Sequence, residues 1–356
     1  MNAVPVWPGP FAPDAIPTEL LTADRPYVVR GGFAHWPVVQ AARRSDQDLA
    51  RYLMGLYNGV RVGLFQLEPS AKGRVFYADD TLRDFNFQRF AATLDQVLSG
   101  LLGVAQHPEP PALYVGSTTV EAVLPGFMAA NVMGLGAFDA LVSLWLGNRT
   151  RIAAHYDLPD NLAVVAAGRR RFTVFAPEQI HNLYVGPLDP TPAGQPVSLV
   201  DFANPDLDRF PRFAHAWAAR QEAELEPGDA IFIPSMWFHH VEGLAPVNLL
   251  INAWWRQTPD FVDSPLSTLR LALMTLRDLP EKERRVWQHH FQHFVWGADA
   301  HTWAHIPEAA RGLLGPIDEP LSRQARAQLL SQLKRSTPPR KPSTASSSPA
   351  AAPPAG

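Results

Sequence analysis

Two histidines and a carboxylate stand where folding can converge them: His155 and Asp157, two residues apart, and one of the distant neighbours His239 and His240. Two imidazoles and one carboxylate can occupy one face of an Fe(II) ion, leaving the remaining positions open for a co-substrate and dioxygen. That is oxidative chemistry. Residues 151–157 read as β-strand, and residues two apart on a strand face the same way, so His155 and Asp157 share a face that Tyr156 does not. The third ligand comes from the stretch 231–241, an apolar strand interrupted by Pro234 and introduced by the turn Glu226-Pro-Gly-Asp229. Neighbours on a strand face opposite ways, so only one of His239 and His240 can join the other two.

The elements that must position these residues are mostly strands. The chain has 356 residues, 46% of them apolar and 18% charged, enough for a sizeable core. Its formal charge of -3 gives no general attraction to nucleic acid. It has no cysteine, which excludes disulfides and thiolate metal sites. No apolar run reaches the roughly 18 residues of a membrane span, and the N-terminus lacks the pattern of a secretory signal. The expected compartment is the cytoplasm.

Residues 1–110 mix short strands (27–30, 60–65) with helical patches (45–56, 90–102) and flank the main domain. Residues 111–257 are predominantly strand, at 112–115, 144–146, 151–157, 162–167, 172–175, 230–233 and 247–255, broken by Gly, Pro and Asn turns. Many short strands of this kind predict an antiparallel sandwich or barrel. Residues 258–335 turn helical, with Ser264 as N-cap and Pro265 at the first helical position. Leu266, Leu269, Leu273 and Leu276 recur at helical spacing, as do Trp287, Phe291 and Phe294, and a third segment carries Leu321, Leu329, Leu330 and Leu333. Such faces need burial, against the barrel or a second subunit. Residues 336–356, rich in Pro, Ala and Ser, are expected to be disordered.

Trp145-Leu-Gly-Asn148, His155-Tyr-Asp157, Gly168-Arg-Arg-Arg171-Phe172, Pro234 and His239-His240 together resemble the cupin-like JmjC family of Fe(II)- and 2-oxoglutarate-dependent oxygenases. The branch most alike includes the asparaginyl hydroxylase that inhibits hypoxia-inducible factor and its bacterial relatives. The resemblance runs from Pro26–Gly32 and His35-Trp-Pro37 to the helices after Pro265. It implies a double-stranded β-helix (jelly-roll) core, with a helical C-terminal extension that forms a homodimer. The first histidine after Trp237-Phe238 matches the family's distal ligand, which selects His239 over His240 beside His155 and Asp157.

The same resemblance supplies the co-substrate residues. Arg170 follows His155 by fifteen residues, where better-known members carry a lysine for the far carboxylate of 2-oxoglutarate; a one-residue shift of the turn would substitute Arg169 or Arg171. Arginine grips a carboxylate bidentately where lysine offers a point charge. Asn161 and Asn252 match residues that hold the co-substrate near iron, and Tyr114 one that reaches its far carboxylate. Asn252 also stands out locally, as an amide inside an apolar strand that must find a partner. Asn248 shares its parity, and Trp254 is expected to wall the pocket. Ile152 departs from the family, whose hydroxyl there assists the co-substrate.

These residues imply an oxygenase that hydroxylates a protein side chain or a small molecule. Two other readings stand beside it: a metal-dependent cupin acting without 2-oxoglutarate, and a non-catalytic binding module on the same scaffold. The chain shows no chromatin-reading motif to favour histone demethylation. Substrate choice is expected to lie in loops 126–142 and 186–203. His289, His290 and His293 have no carboxylate at ligand spacing, and His181, His215, His301 and His305 stand apart from any motif.

Overall fold

A computed structural model describes residues 2–192 and 194–335. Two compact units follow one another along the chain, the first ending at Gln257 and the second beginning at Thr258. The tail expected to be disordered, 336–356, lies outside the described residues.

Among the described residues the first unit carries β1 (Asn2–Ala3), β2 (Tyr27–Val29), β3 (Val62–Leu67), β4 (Arg74–Val75), β5 (Gln88–Ala92), β6 (Ala112–Thr119) and β7 (Leu141–Gly147). There follow β8 (Arg151–His155), β9 (Asp160–Ala167), β10 (Arg170–Phe175), β11 (Gln221–Leu225), β12 (Ala230–Ile233), β13 (Phe238–Gly243) and β14 (Asn248–Trp255). One sheet has the order β1-β11-β10-β13-β8-β4, the other β2-β12-β9-β14-β7-β6-β3-β5. Pairing is antiparallel except for β1 on β11 and β4 on β8. Two large, mostly antiparallel sheets with flanking helices form the expected cupin-like core. Five of the strands come from residues before 110, so that stretch is woven into both sheets.

Strand alternation decides what the site is made of. On β7 the side chains of Leu144 and Leu146, and on β14 those of Leu249, Ile251, Ala253 and Trp255, join the core that also takes Val38, Leu49, Leu53, Val97 and Leu101 from the flanking helices. The intervening residues Trp145, Leu250, Asn252 and Trp254 face the other way and line a pocket. A second core between the sheets contains Tyr114, Ile152, Ala163, Val165, Phe172, Val174 and Val241. The pocket therefore has walls fixed by packing on both sides.

Two local expectations change. The stretch 90–102, read as helix, begins instead as the edge strand β5, and the helix runs Leu94–Val104 behind the capping box of Thr93 and Gln96. Strand β8 stops at His155, so Asp157 stands in the loop beyond it. The backbone N–H of Met236 donates to Asp157 O at 2.9 Å and ties that loop to the turn before β13.

In the second unit, helix Pro265–Thr275 starts from the expected cap, the Ser264 hydroxyl accepting from Leu266 N–H. Helix Glu281–Phe291, with the π-helical turn Gln292–Trp296 that follows it, and helix Glu319–Arg335 carry the other two apolar series. Among its described residues Thr302 alone is buried. No helix of the described residues is long and apolar enough to cross a membrane.

Candidate metal centre

His155 and His239 are direct partners across β8 and β13, which places the two imidazoles side by side with ring centroids 4.3 Å apart. Asp157, carried past the strand end, brings Oδ2 to 3.5 Å from His239 Nε2. One ligand atom from each of the three lies within 4.8 Å of the other two. The Nδ1 of His155 sits 2.9 Å from Ala153 O, and that of His239 3.1 Å from Trp237 O. A neutral imidazole whose Nδ1–H donates to a carbonyl presents its Nε2 lone pair, the form in which histidine binds a metal.

The electrostatics keep His155 and Asp157 in ligating form. Burial, reinforced by His239, lowers the His155 pKa to about 4, against the opposing pull of Asp157 and Ala153 O. Burial alone would raise Asp157, but the neighbouring His239 and His155 side chains and the Trp254 N–H outweigh it, and the carboxyl stays below its ordinary range. His240 faces the opposite side. Its ring lies against Phe202 with centroids 4.7 Å apart, and burial lowers its pKa to about 3.

Residues 13–261 match a family profile described as a cupin-like domain. The chain belongs to the cupin-like family, of the JmjC type. The tRNA wybutosine-synthesizing protein 5 of Gallus gallus is 32% identical over 145 residues, 36% of this chain and 42% of that protein. HSPB1-associated protein 1 of Rattus norvegicus is 29% identical over 259 residues, 69% of this chain and 51% of that protein. The lysine-specific demethylase JMJ31 of Arabidopsis thaliana is 32% identical over 129 residues, 35% of this chain and 23% of that protein. The matches thus span from 23% to 51% of these relatives' own lengths.

Within this cupin-like frame the pocket beside the triad measures about 530 Å³, and Tyr114, Asn161, Arg170, Asn252 and Trp254 all line it. A hydrogen-bond chain joins several of them to the triad. Trp145 Nε1 donates to Asn252 Oδ1 (2.6 Å), Asn252 Nδ2 to Asn161 Oδ1 (3.1 Å), and Asn161 Nδ2 to Asp157 Oδ2 (3.3 Å). Trp254 Nε1 reaches the same oxygen at 3.1 Å. Asn252 has found the partners its apolar strand denied it, and the network holds Asp157 in place. Asn248 has a different job: its amide accepts from Arg169 N–H and donates to Asn148 O and Ala245 O, bracing the turn before Arg170.

The three arginines separate cleanly. Arg171 faces outward to Glu224 and Glu242, and Arg169 is exposed. Arg170 is 3% exposed and enters the pocket from the first position of β10. One nitrogen, Nη2, donates to Trp145 O at 3.2 Å, while the buried Nε has no hydrogen-bond partner among the described residues. Burial lowers its pKa to about 10, partly offset by Tyr114, so it remains a cation at neutral pH. Burial also raises the Tyr114 hydroxyl, keeping it protonated. Ile152 lines the same pocket with an apolar side chain.

Sequence reasoning missed Trp145, Phe65, Arg89 and Gln195 as pocket residues. Trp145 had a readable signal, since it alternates with Leu144 and Leu146 and so had to face away from the core they join. Arg89 and Gln195 had none: a lone polar residue on an edge strand or in a loop has the same pattern as any solvated position.

Proposed function

We propose that this chain is an Fe(II)- and 2-oxoglutarate-dependent oxygenase that hydroxylates a protein side chain or a small molecule. Its family is one of oxygenases and hydroxylases. The observation that carries the reading is Arg170, a buried cation with an unused donor in the pocket that holds the His155–Asp157–His239 group. An unpaired buried charge is costly, and a site built around one is built for an anion.

His155, Asp157 and His239 would hold the metal, and the mixed nitrogen and oxygen donor set suits Fe(II) with positions left open. The metal with 2-oxoglutarate supplies oxidation of a substrate C–H by dioxygen, the co-substrate leaving as succinate and carbon dioxide. The chain's own residues do the positioning. Arg170 and the Tyr114 hydroxyl bind the far carboxylate, without the hydroxyl that Ile152 replaces. Asn252 and Asn161 steer Asp157 and the near end of the co-substrate. Trp145, Trp254 and Phe172 form the apolar wall that excludes water from the reacting centre. Iron kept as Fe(II) suits a reducing compartment, for which we propose the cytoplasm. We also propose that the second unit pairs two copies of the chain.

The direct experiment is anaerobic binding of 2-oxoglutarate to the Fe(II)-loaded protein, followed by its decarboxylation in air. A charge-assisted hydrogen bond is worth about 1.5–3 kcal/mol, so Arg170→Gln is expected to weaken 2-oxoglutarate binding by roughly ten- to a hundredfold. No binding by the wild-type protein at millimolar concentration sinks the proposal.

A further inference from the structure

A row of aromatic rings crosses the inner face of the eight-stranded sheet, starting at the metal carboxylate. Trp254 donates to Asp157, and its ring meets Trp145 edge-on at 5.6 Å. Trp145 lies 6.2 Å from Tyr114, and Tyr114 6.0 Å from Phe65. Beyond Phe65 the row ends at the sheet edge on a charge: the Arg89 guanidinium of β5 sits 4.4 Å from the Phe65 ring centroid and 5.7 Å from that of Phe87. Phe87 is itself 5.0 Å from Phe65 and stacked on Phe85 at 5.2 Å. Arg89 is thus held against two packed rings, Phe65 and Phe87, which set its direction.

Arg89 lines the same pocket as the triad and is exposed at its mouth. Among the described residues its guanidinium makes no ion pair and no hydrogen bond, and the pocket's carboxylate, Asp157, is taken by the triad network. Gly63, beside Phe65 on β3, has nothing within 4 Å of where a Cβ would stand, and that leaves open space along the row. The pocket therefore has two cations at two depths: Arg170 buried, Arg89 at the mouth. One co-substrate far carboxylate can satisfy only one of them.

We propose that Arg89 is the substrate-reading residue, and that the substrate presents a carboxylate or phosphate to it while a flat apolar body lies along Phe65, Tyr114 and Trp145 toward the reacting centre. The location of that centre rests on the function proposed above. The anion site stands on Arg89 and its aromatic shelf.

The test uses three probes that share a ring and differ in charge: phenylacetate, phenyl phosphate and neutral phenylacetamide. Their affinities are measured by calorimetry on the full chain with anaerobic Fe(II), with and without saturating 2-oxoglutarate. At least one anion is expected to bind about tenfold or more tightly than the amide. Arg89→Gln should remove that preference, and Arg89→Lys should retain part of it. Neither change should alter 2-oxoglutarate affinity, which follows Arg170→Gln instead. The stronger of the two anions distinguishes a carboxylate from a phosphate substrate. The assignment is overturned if the anions bind no better than the amide, if neither binds saturably at millimolar concentration, or if the preference survives Arg89→Gln or is lost through Arg170→Gln. Should 2-oxoglutarate fail to bind while the preference still tracks Arg89, the proposed co-substrate falls and the anion site stands.

Discussion

His239 and His240 are adjacent, chemically identical and both buried, yet the fold gives them opposite environments. The β13 backbone turns one ring to His155 and Asp157 and packs the other against Phe202. The difference is measurable as metal content. His239→Ala removes one of three ligands and is expected to abolish stoichiometric iron binding. His240→Ala leaves all three in place and costs stability through lost packing, about 1–3 kcal/mol by analogy with other large-to-small changes in a core. Iron stoichiometry by elemental analysis, read beside thermal unfolding, separates the two effects; full iron content in His239→Ala refutes the ligand assignment. Parity of the strand could tell that only one histidine joins the triad. Which one it was came from the resemblance, because a two-residue alternation has no absolute phase until the core it faces is known.

At the scale of elements, the turn into β10 is where the backbone most tightly constrains the site. Gly168 has φ +72°, and a Cβ there would stand 2.3 Å from Val247 O and 2.4 Å from Asn248 Oδ1. Only glycine fits, and Asn248 braces what results. Gly168→Ala is therefore expected to destabilise the protein by about 1–3 kcal/mol or more. It should also weaken 2-oxoglutarate binding, since the turn sets the phase that sends Arg170 inward and Arg171 outward. Destabilisation with unchanged 2-oxoglutarate affinity would show that the turn does not position Arg170. The turn, the apolar strands and the Ser264-Pro265 helix start were legible because each is a local signal: a glycine between strands, an alternation, a cap. β5 was not, since Phe90 followed by a helical run reads as part of that run when only the partner strand β3 reveals the pairing. Asp157 was placed correctly beside His155 in sequence but off the strand in space, as a strand's end is set by where its partner leaves it. Arg89 became visible only once three separate segments were folded into one aromatic shelf.

At the scale of the whole molecule, the second unit has apolar side chains and, among its described residues, no core of its own. Met274 is 79% exposed and Trp296 73%, and no apolar residue of the unit is buried among those described. Its helices enclose a groove of about 600 Å³ lined by Leu269, Leu273, Leu276, Trp287, Phe291 and Trp296. Groove and protruding apolar side chain on the same element are what a two-fold interface needs, because each copy offers its partner the surface it lacks. Surface of this kind left in water is unfavourable by about 25 cal/mol per Å², and stable interfaces bury on the order of 1,600 Å² in total. The full chain is accordingly expected to sediment as a dimer at micromolar concentration, independent of iron or 2-oxoglutarate. Trp287→Glu places a charge in the groove wall; Trp287 is none of the three ligands, so the change should shift the protein to monomer without altering its iron content. Sedimentation of the wild-type chain as a monomer across that range would refute the pairing, whereas a dimer that persists in Trp287→Glu would move the interface away from this groove.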